Sequence, residues 1–320
     1  MRFGLVIPTY KSAAFIEQTL ESAFRQTVPF DDVVVVDDAS PDETCAAVER
    51  AMARTPVPCR LIRLTTNFGG PARPTNRGIE ACDADYILCL DHDDELVPGR
   101  VESLRRVEAH LDTCGLTFGR MRVRSSATTS SAGVEKAWTF VQSLPLERIV
   151  EGFLRLAPNE ARAAYVRFDE LFAVSMSAFG FPKGVWSEVG GFDEQFRGCA
   201  DAAFYEAVTR SYSIGILESD AAYKQFLGSN LSEDWSLMTE DHSDVFARFH
   251  AWYRNHPCPA ELKPHLRSEL LKRAYMLVSR RKRRAGYSSL ARSISYYGLD
   301  ARTFATAFRM QVKLLSGLIK

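Results

Sequence analysis

The chain has 320 residues, 46% of them apolar and 25% charged. That is enough for one large α/β domain with an appendage, or for two domains, and it excludes a chain that is disordered throughout. Net charge is zero but unevenly spread: residues 262–320 carry fourteen Lys and Arg against Glu269 and Asp300, and the first 261 residues carry the matching acidic excess, so the basic end suits an anionic partner.

The first 125 residues alternate strand and helix. Phe3 to Ile7 is a short apolar run closed by Pro8, which predicts a buried strand. Ser12 is placed to cap a helix in which Phe15, Ile16, Leu20, Ala23 and Phe24 recur near helical spacing. Val33 to Val36, four β-branched residues in a row, predicts a strand covered on both faces. Ser40-Pro41-Asp42-Glu43 then predicts a helix start, with Ser40 as cap and Pro41 in the first turn. Leu61 to Leu64 is a third strand, and a helix containing Ile79 opens after Gly69-Gly70-Pro71. Tyr86 to Leu90 is a fourth strand, Pro98 opens another helix, and Leu116 to Val123 is a further strand. Ser125 to Gly133 is Ser/Thr-rich and predicts a flexible loop. Helix is expected around Leu146 to Leu156, Gly184 to Gly191 and Asp201 to Arg210, and strands at Ile214 to Leu217 and Ala222 to Phe226. From Glu261 onward the pattern is helical.

Such alternation implies a doubly wound, mostly parallel sheet, whose ligands sit at the carboxyl ends of the strands. Tyr10, Asp37, Asp38, Asn67 and Asp91 each follow a strand and should converge on one edge. The seven cysteines, Cys45, Cys59, Cys82, Cys89, Cys114, Cys199 and Cys258, are odd in number and have no metal-ligand spacing, as expected of reduced thiols in a cytoplasmic protein. The N-terminal apolar run is too short for a secretory signal, and no run of about 18 apolar residues spans a membrane.

The strongest chemical signal is Leu90-Asp91-His92-Asp93-Asp94. Acids delivered at the end of a strand provide hard oxygen ligands for Mg²⁺ or Mn²⁺, which can screen a diphosphate as it leaves. Alone, the cluster reads equally as a solvated acidic turn.

Its neighbours in sequence extend the signal. Val6-Ile7-Pro8-Thr9-Tyr10, Val35-Val36-Asp37-Asp38-Ala39-Ser40-Pro41-Asp42, Asn67-Phe68-Gly69-Gly70, Asn76-Arg77-Gly78-Ile79 and the acidic cluster occur in this order, and Val189-Gly190-Gly191-Phe192-Asp193-Glu194 follows. Together these segments resemble the family 2 glycosyltransferases over about residues 3 to 230.

The resemblance implies a GT-A fold with a helical C-terminal extension, a nucleotide-sugar donor with a UDP-sugar foremost, Mn²⁺ or Mg²⁺, and inversion at the anomeric carbon. It also implies a nucleotide half at 1–125, an acceptor half at 126–230 and a basic helical extension at 231–320. By position, Pro8 and Tyr10 would line the base, Asp38 would hydrogen-bond it, and Asp37 would support that loop. Asn67 and Asn76 would lie on the donor side, as ligand contacts or as braces. Asp91 would face the ribose or the metal, Asp93 would bind the metal, and Asp94 would orient a sugar. Trp186, Gly190, Gly191, Phe192 and Asp193 would form the acceptor side. Asp201 would be the catalytic base, or else a helix cap, and a helix N-terminus would lower its pKa.

The sequence departs from the family at two places. Ala200 stands where a Glu precedes the base, and Phe226 stands where many relatives carry a His, for which His242 is a distant substitute. These departures leave an inactive nucleotide-sugar-binding protein as the alternative. A nucleotidyltransferase would show a Gly-rich loop after the first strand, and Pro8-Thr9-Tyr10-Lys11-Ser12 has no glycine. The basic tail suggests docking on the cytoplasmic face of an anionic membrane, where a lipid-linked glycan acceptor would be found. Phe304, Phe308, Val312, Leu315, Leu318 and Ile319 fall near one helix face. Packing of that stripe on the catalytic domain or in a homo-oligomer is the competing expectation.

Overall fold

A computed structural model describes residues 1–124, 128–168, 175–225, 235–279, 282–298 and 300–316. The chain forms two compact units, one of residues 1–164 and 170–233, the other of residues 165–169 and 234–320.

The first unit begins with β1 (Phe3–Thr9), α1 (Ile16–Phe24), β2 (Asp32–Asp37), α2 (Thr44–Met52), β3 (Cys59–Arg63), α3 (Ala72–Ala81) and β4 (Tyr86–Cys89). The strands pair in parallel in the order β3-β2-β1-β4. Every residue of β1, β2 and β4 is buried, and Val33 to Val36 have no exposed surface. Burying each such side chain contributes about 1.5–3 kcal/mol, which accounts for the unbroken apolar runs.

Next come β5 (Glu95–Leu96), α4 (Arg100–Arg106), β6 (Leu116–Val123), α5 (Thr128–Gln142), β7 (Glu147–Val150), β8 (Phe153–Leu156) and α6 (Pro158–Phe168). They are followed by β9 (Phe179–Pro182), α7 (Lys183–Val189), α8 (Ala200–Val208) and β10 (Ile214–Lys224). β9 runs antiparallel between β4 and β6, and β10 is parallel to β6. The whole forms one sheet of ten strands, with β8 and β7 at its far side and β5 on β10.

Several local expectations are corrected. Ser40 does not cap a helix: its hydroxyl accepts from the Lys11 N–H at 3.0 Å, and α2 starts later, at Thr44, whose N–H and hydroxyl both donate to Asp42. Ser12 serves α1 through its carbonyl, which accepts from Phe15 and Ile16, while its N–H goes to the Thr44 hydroxyl. The helix expected around Leu146 to Leu156 is the β7–β8 hairpin. Gly152 turns it with φ +79°, and pairing of β8 with β10 buries Phe153 and Leu156. The loop expected from Ser125 to Gly133 is helical from Thr128, with residues 125–127 outside the described residues. The two strands expected at Ile214 to Leu217 and Ala222 to Phe226 are one strand, β10, broken only by register shifts around Asp220; Phe226 itself lies outside the described residues.

The second unit is helical, as its pattern indicates: α9 (Trp235–Tyr253), α10 (Lys263–Ser279), α11 (Arg283–Tyr297) and α12 (Ala301–Ser316). Leu271, Ala274, Val278, Leu290 and Met310 form its core, flanked by Ile294 and Ala307. Tyr165 stacks on Phe249 at 4.8 Å. Among the described residues, no helix is long and apolar enough to cross a membrane.

Candidate functional site

The parallel register brings the strand ends together. Thr9 is the register partner of Asp37, the Asp38 N–H donates to the Thr9 carbonyl at 2.9 Å, and the Leu90 N–H donates to Val6 at 3.0 Å. The turns after β1 and β2 each contain a non-glycine residue in the left-handed region, Lys11 at φ +50° and Ala39 at φ +59°. Such backbone costs about 1–2 kcal/mol per residue, so the turns are held against their own preference.

After β2, the Asp37 carboxylate accepts from Ser40 N–H at 2.9 Å. The Asp38 carboxylate accepts from Phe68 N–H at 3.0 Å, and Asn67 Nδ2 donates to the Asp38 carbonyl at 3.1 Å. Burial pushes the Asp38 carboxyl up, against the pull of the Phe68 and Gly69 N–H groups. Tyr10 is half-buried, with the Lys11 ammonium 5.2 Å from its ring centre, and the Pro8 carbonyl lies 3.3 Å from His92 Nδ1. The His92 ring stacks on Phe15 at 5.6 Å, which makes His92 a packing residue between two carboxylates.

Asn76 is a double brace. Its Oδ1 accepts from Trp186 Nε1 at 3.1 Å and from Phe192 N–H at 2.9 Å, and its Nδ2 donates to the Phe192 carbonyl at 2.8 Å. This ties α3 to the turn after α7, where Gly190 and Gly191 take φ +88° and +74°. In that turn Phe192 is buried, and Asp193 accepts from Gln195 N–H at 2.9 Å.

At the centre, ligand oxygens of Asp91, Asp93 and Asp94 lie within 4.8 Å of one another. Burial pushes all three carboxyls up and their mutual repulsion adds to it, while Lys224 opposes the shift. Ser177 locks the cluster: its hydroxyl donates to Asp94 Oδ2 at 2.6 Å and accepts from the Asp91 N–H at 3.0 Å. Arg100, fully buried, donates to the Ala178 carbonyl at 2.9 Å and so holds the turn that carries Ser177. The other Asp94 oxygen accepts from Gln225 N–H at 3.1 Å. Asp94 is engaged on both oxygens, and the hard carboxylate donors of the three acids fit Mn²⁺ or Mg²⁺.

Asp201 sits in the first turn of α8 but does not cap it; Cys199 holds that position, and Asp201 Oδ1 accepts from the Ala202 N–H at 2.8 Å. Its pKa is not lowered as expected from the helix terminus. Burial pushes it up to about 7, with Asp91 adding to the shift and Lys224 opposing it.

Two residues here were missed in the sequence, Ser177 and Lys224. Lys224 ends β10 with its ammonium 3.7 Å from Asp94 Oδ2. Burial alone would lower it, but Asp94, Asp91, Asp93 and Asp201 together hold it above its ordinary value. A lysine closing a strand is the signal the sequence carries for it.

Comparison with known proteins agrees with this geometry. The family described as Glycosyl transferase family 2 matches over residues 5–156. Residues 5–156 belong to that family. The poly(ribitol-phosphate) β-N-acetylglucosaminyltransferase TarS of Staphylococcus aureus is 34% identical over 114 residues, 35% of this chain and 19% of TarS. The chain therefore matches under a fifth of that relative's length. In structure, TarS residues 1–349 in complex with UDP-GlcNAc align with 98% of this chain and 88% of that one, at TM-score 0.64 and 19% identity. The mannosyltransferase PcManGT of Pyrobaculum calidifontis, in complex with GDP-Man and Mn²⁺, aligns with 98% of this chain and 80% of its own at TM-score 0.56 and 20% identity. Both share this chain's GT-A fold.

Proposed function

We propose that this chain is an inverting glycosyltransferase that moves a hexosyl or N-acetylhexosaminyl group from a UDP-sugar to a hydroxyl of a glycan or lipid-linked glycan in cell-surface polymer synthesis. One observation carries the reading: the first turn of α8 brings Asp201 into electrostatic reach of Asp91 in the acidic cluster at the strand ends, and enclosure pushes its carboxyl up to about 7. Asp91 and Asp93 would hold Mn²⁺ or Mg²⁺, which supplies charge stabilisation to the departing diphosphate. Asp37, Asp38 and Asn67 shape the loops against which Pro8 and Tyr10 receive the base. The Gly190-Gly191-Phe192-Asp193 turn with Trp186 forms the acceptor side, braced by Asn76. Asp201 takes the acceptor proton as the oxygen attacks the anomeric carbon and the bond from that carbon to the phosphate oxygen breaks, releasing UDP. A base tuned near the working pH contributes about 10²–10⁴-fold.

The TarS complex with UDP-GlcNAc supports a UDP-sugar donor, and the PcManGT complex with Mn²⁺ supports the cation. The test is release of UDP from UDP-GlcNAc and UDP-glucose with Mn²⁺ and a panel of glycan acceptors. Asp201→Asn should bind donor as wild type does and lose at least about a hundredfold in transfer. Donor binding without acceptor-dependent release in the wild type would instead establish the inactive binding protein.

The reading extends to location. On α12, Thr303 and Met310 face the core, while Phe304 and Phe308 are 71% and 64% exposed on another face, with Arg302 and Arg309 exposed beside them. Val312, Leu315, Leu318 and Ile319 of the expected stripe have side chains outside the described residues. Exposed aromatics beside cations fit an anionic bilayer surface. Phe304→Ser with Phe308→Ser should abolish flotation with phosphatidylglycerol vesicles; unchanged flotation overturns membrane docking, and loss of self-association without flotation assigns the face to a homo-oligomer.

A further inference from the structure

The roles of metal ligand, donor loop and base leave Lys224 unexplained. Its side chain is 18% exposed, its ammonium is 3.7 Å from Asp94, and it interacts with Asp91, Asp93 and Asp201 as well. The residues on either side of it are fixed too. Tyr223 lies under the Arg124 guanidinium at 4.5 Å, and Gln225 gives its N–H to Asp94 at 3.1 Å and its amide to Glu95 at 2.8 Å. Burying an ammonium costs several kcal/mol unless charge compensates it. Here the compensation comes from the same acids that would hold a cation. An ammonium carries three donors, and Lys is a point-charge binder of phosphate. Two residues further on, Phe226 offers no ligating atom.

We propose that Lys224 is a built-in cation of the donor site, contacting the diphosphate of a nucleoside diphosphate and sharing its charge with the divalent ion. The proposal rests on the donor reading above. It makes a prediction of opposite sign for two ligands. Removing the ammonium takes a positive charge from the diphosphate, so UDP binds more weakly. It also takes a competing positive charge from the acids, so a metal ion binds more tightly. A lysine needed only for folding would weaken both.

The experiment is calorimetric titration of the intact chain, with UDP and uridine in EDTA, with UDP in Mn²⁺, and with Mn²⁺ in the absence of nucleotide. Wild type should bind UDP more tightly than uridine in EDTA. Lys224→Met should bind UDP about ten- to a hundredfold more weakly, the range of a charge-assisted hydrogen bond, with uridine unchanged and Mn²⁺ tighter. Lys224→Arg, which keeps the charge, should retain the preference for UDP. Unchanged UDP affinity in Lys224→Met, or weaker binding of both UDP and Mn²⁺, overturns the role. If Lys224→Met does not fold, equal affinity of wild type for UDP and uridine in EDTA overturns it. Failure of wild type to bind UDP even with Mn²⁺ overturns the donor reading and this role with it. Binding that needs Mn²⁺ and ignores Lys224 overturns this role alone.

Discussion

Asp201 and Lys224 show how much of the site depends on burial, which a linear sequence does not display. The position of Asp201 after a Gly-Gly-Phe-Asp segment is visible in the sequence, but its acidity is not: the helix terminus alone would lower the pKa, and enclosure outweighs it. The consequence is a pH dependence. A carboxyl raised to about 7 from an ordinary value near 4 favours the folded state while protonated. That contribution is complete below pH about 4 and is lost as pH rises through about 7. Metal-free Asp201→Asn should therefore exceed wild type in stability by about 1–3 kcal/mol at pH 8, with the gap closing toward pH 4. Urea melts across that range measure it. In turnover the sign reverses: kcat/KM should climb with pH through about 7 as the base ionises, and the residual rate of Asp201→Asn should not.

Among the elements, the parallel strands β1, β2 and β4 were legible because both their faces are covered and the sequence has no reason to alternate. The β7–β8 hairpin was not, since Phe153 and Leu156 owe their burial to β10, some sixty residues away. β10 was split in two because its register shifts around Asp220 interrupt the apolar pattern without ending the strand. Helix α3 depends on a close approach that its sequence only hints at. A Cβ on Gly78 would lie 2.3 Å from Val6 Cγ1 and 3.1 Å from Val36 Cγ2. Gly78→Ala should lower stability by about 1–3 kcal/mol through overpacking, despite the better helix propensity of alanine. Gly184, inside α7, has open space where a methyl group would stand, with no neighbouring atom within 4 Å, so Gly184→Ala should be neutral or stabilise by up to about 1 kcal/mol. Denaturant midpoints of the two variants distinguish packing from propensity.

Over the whole molecule, three carboxylates clustered in a largely buried site store electrostatic strain that a cation relieves. Mn²⁺ at a hundred times its dissociation constant should stabilise the chain by about 2.7 kcal/mol, a rise in Tm of about 4 °C. Asp93→Ala should abolish that rise, and a thermal melt with and without EDTA checks it. The charge asymmetry between the two ends was plain in the sequence, and so was the helical character of the basic segment. The outward placement of Phe304 and Phe308 was not, because a stripe at helical spacing looks the same whether it faces a core or a solvent.

The Asn76 carboxamide has a consequence for the order of events. With its oxygen and nitrogen both committed to Trp186 and Phe192, it works as a rivet between α3 and the turn after α7. On the proposed reading, a shift of that helix on donor arrival would pull on the acceptor side or shear the rivet, and the second substrate would meet a berth adjusted by the first.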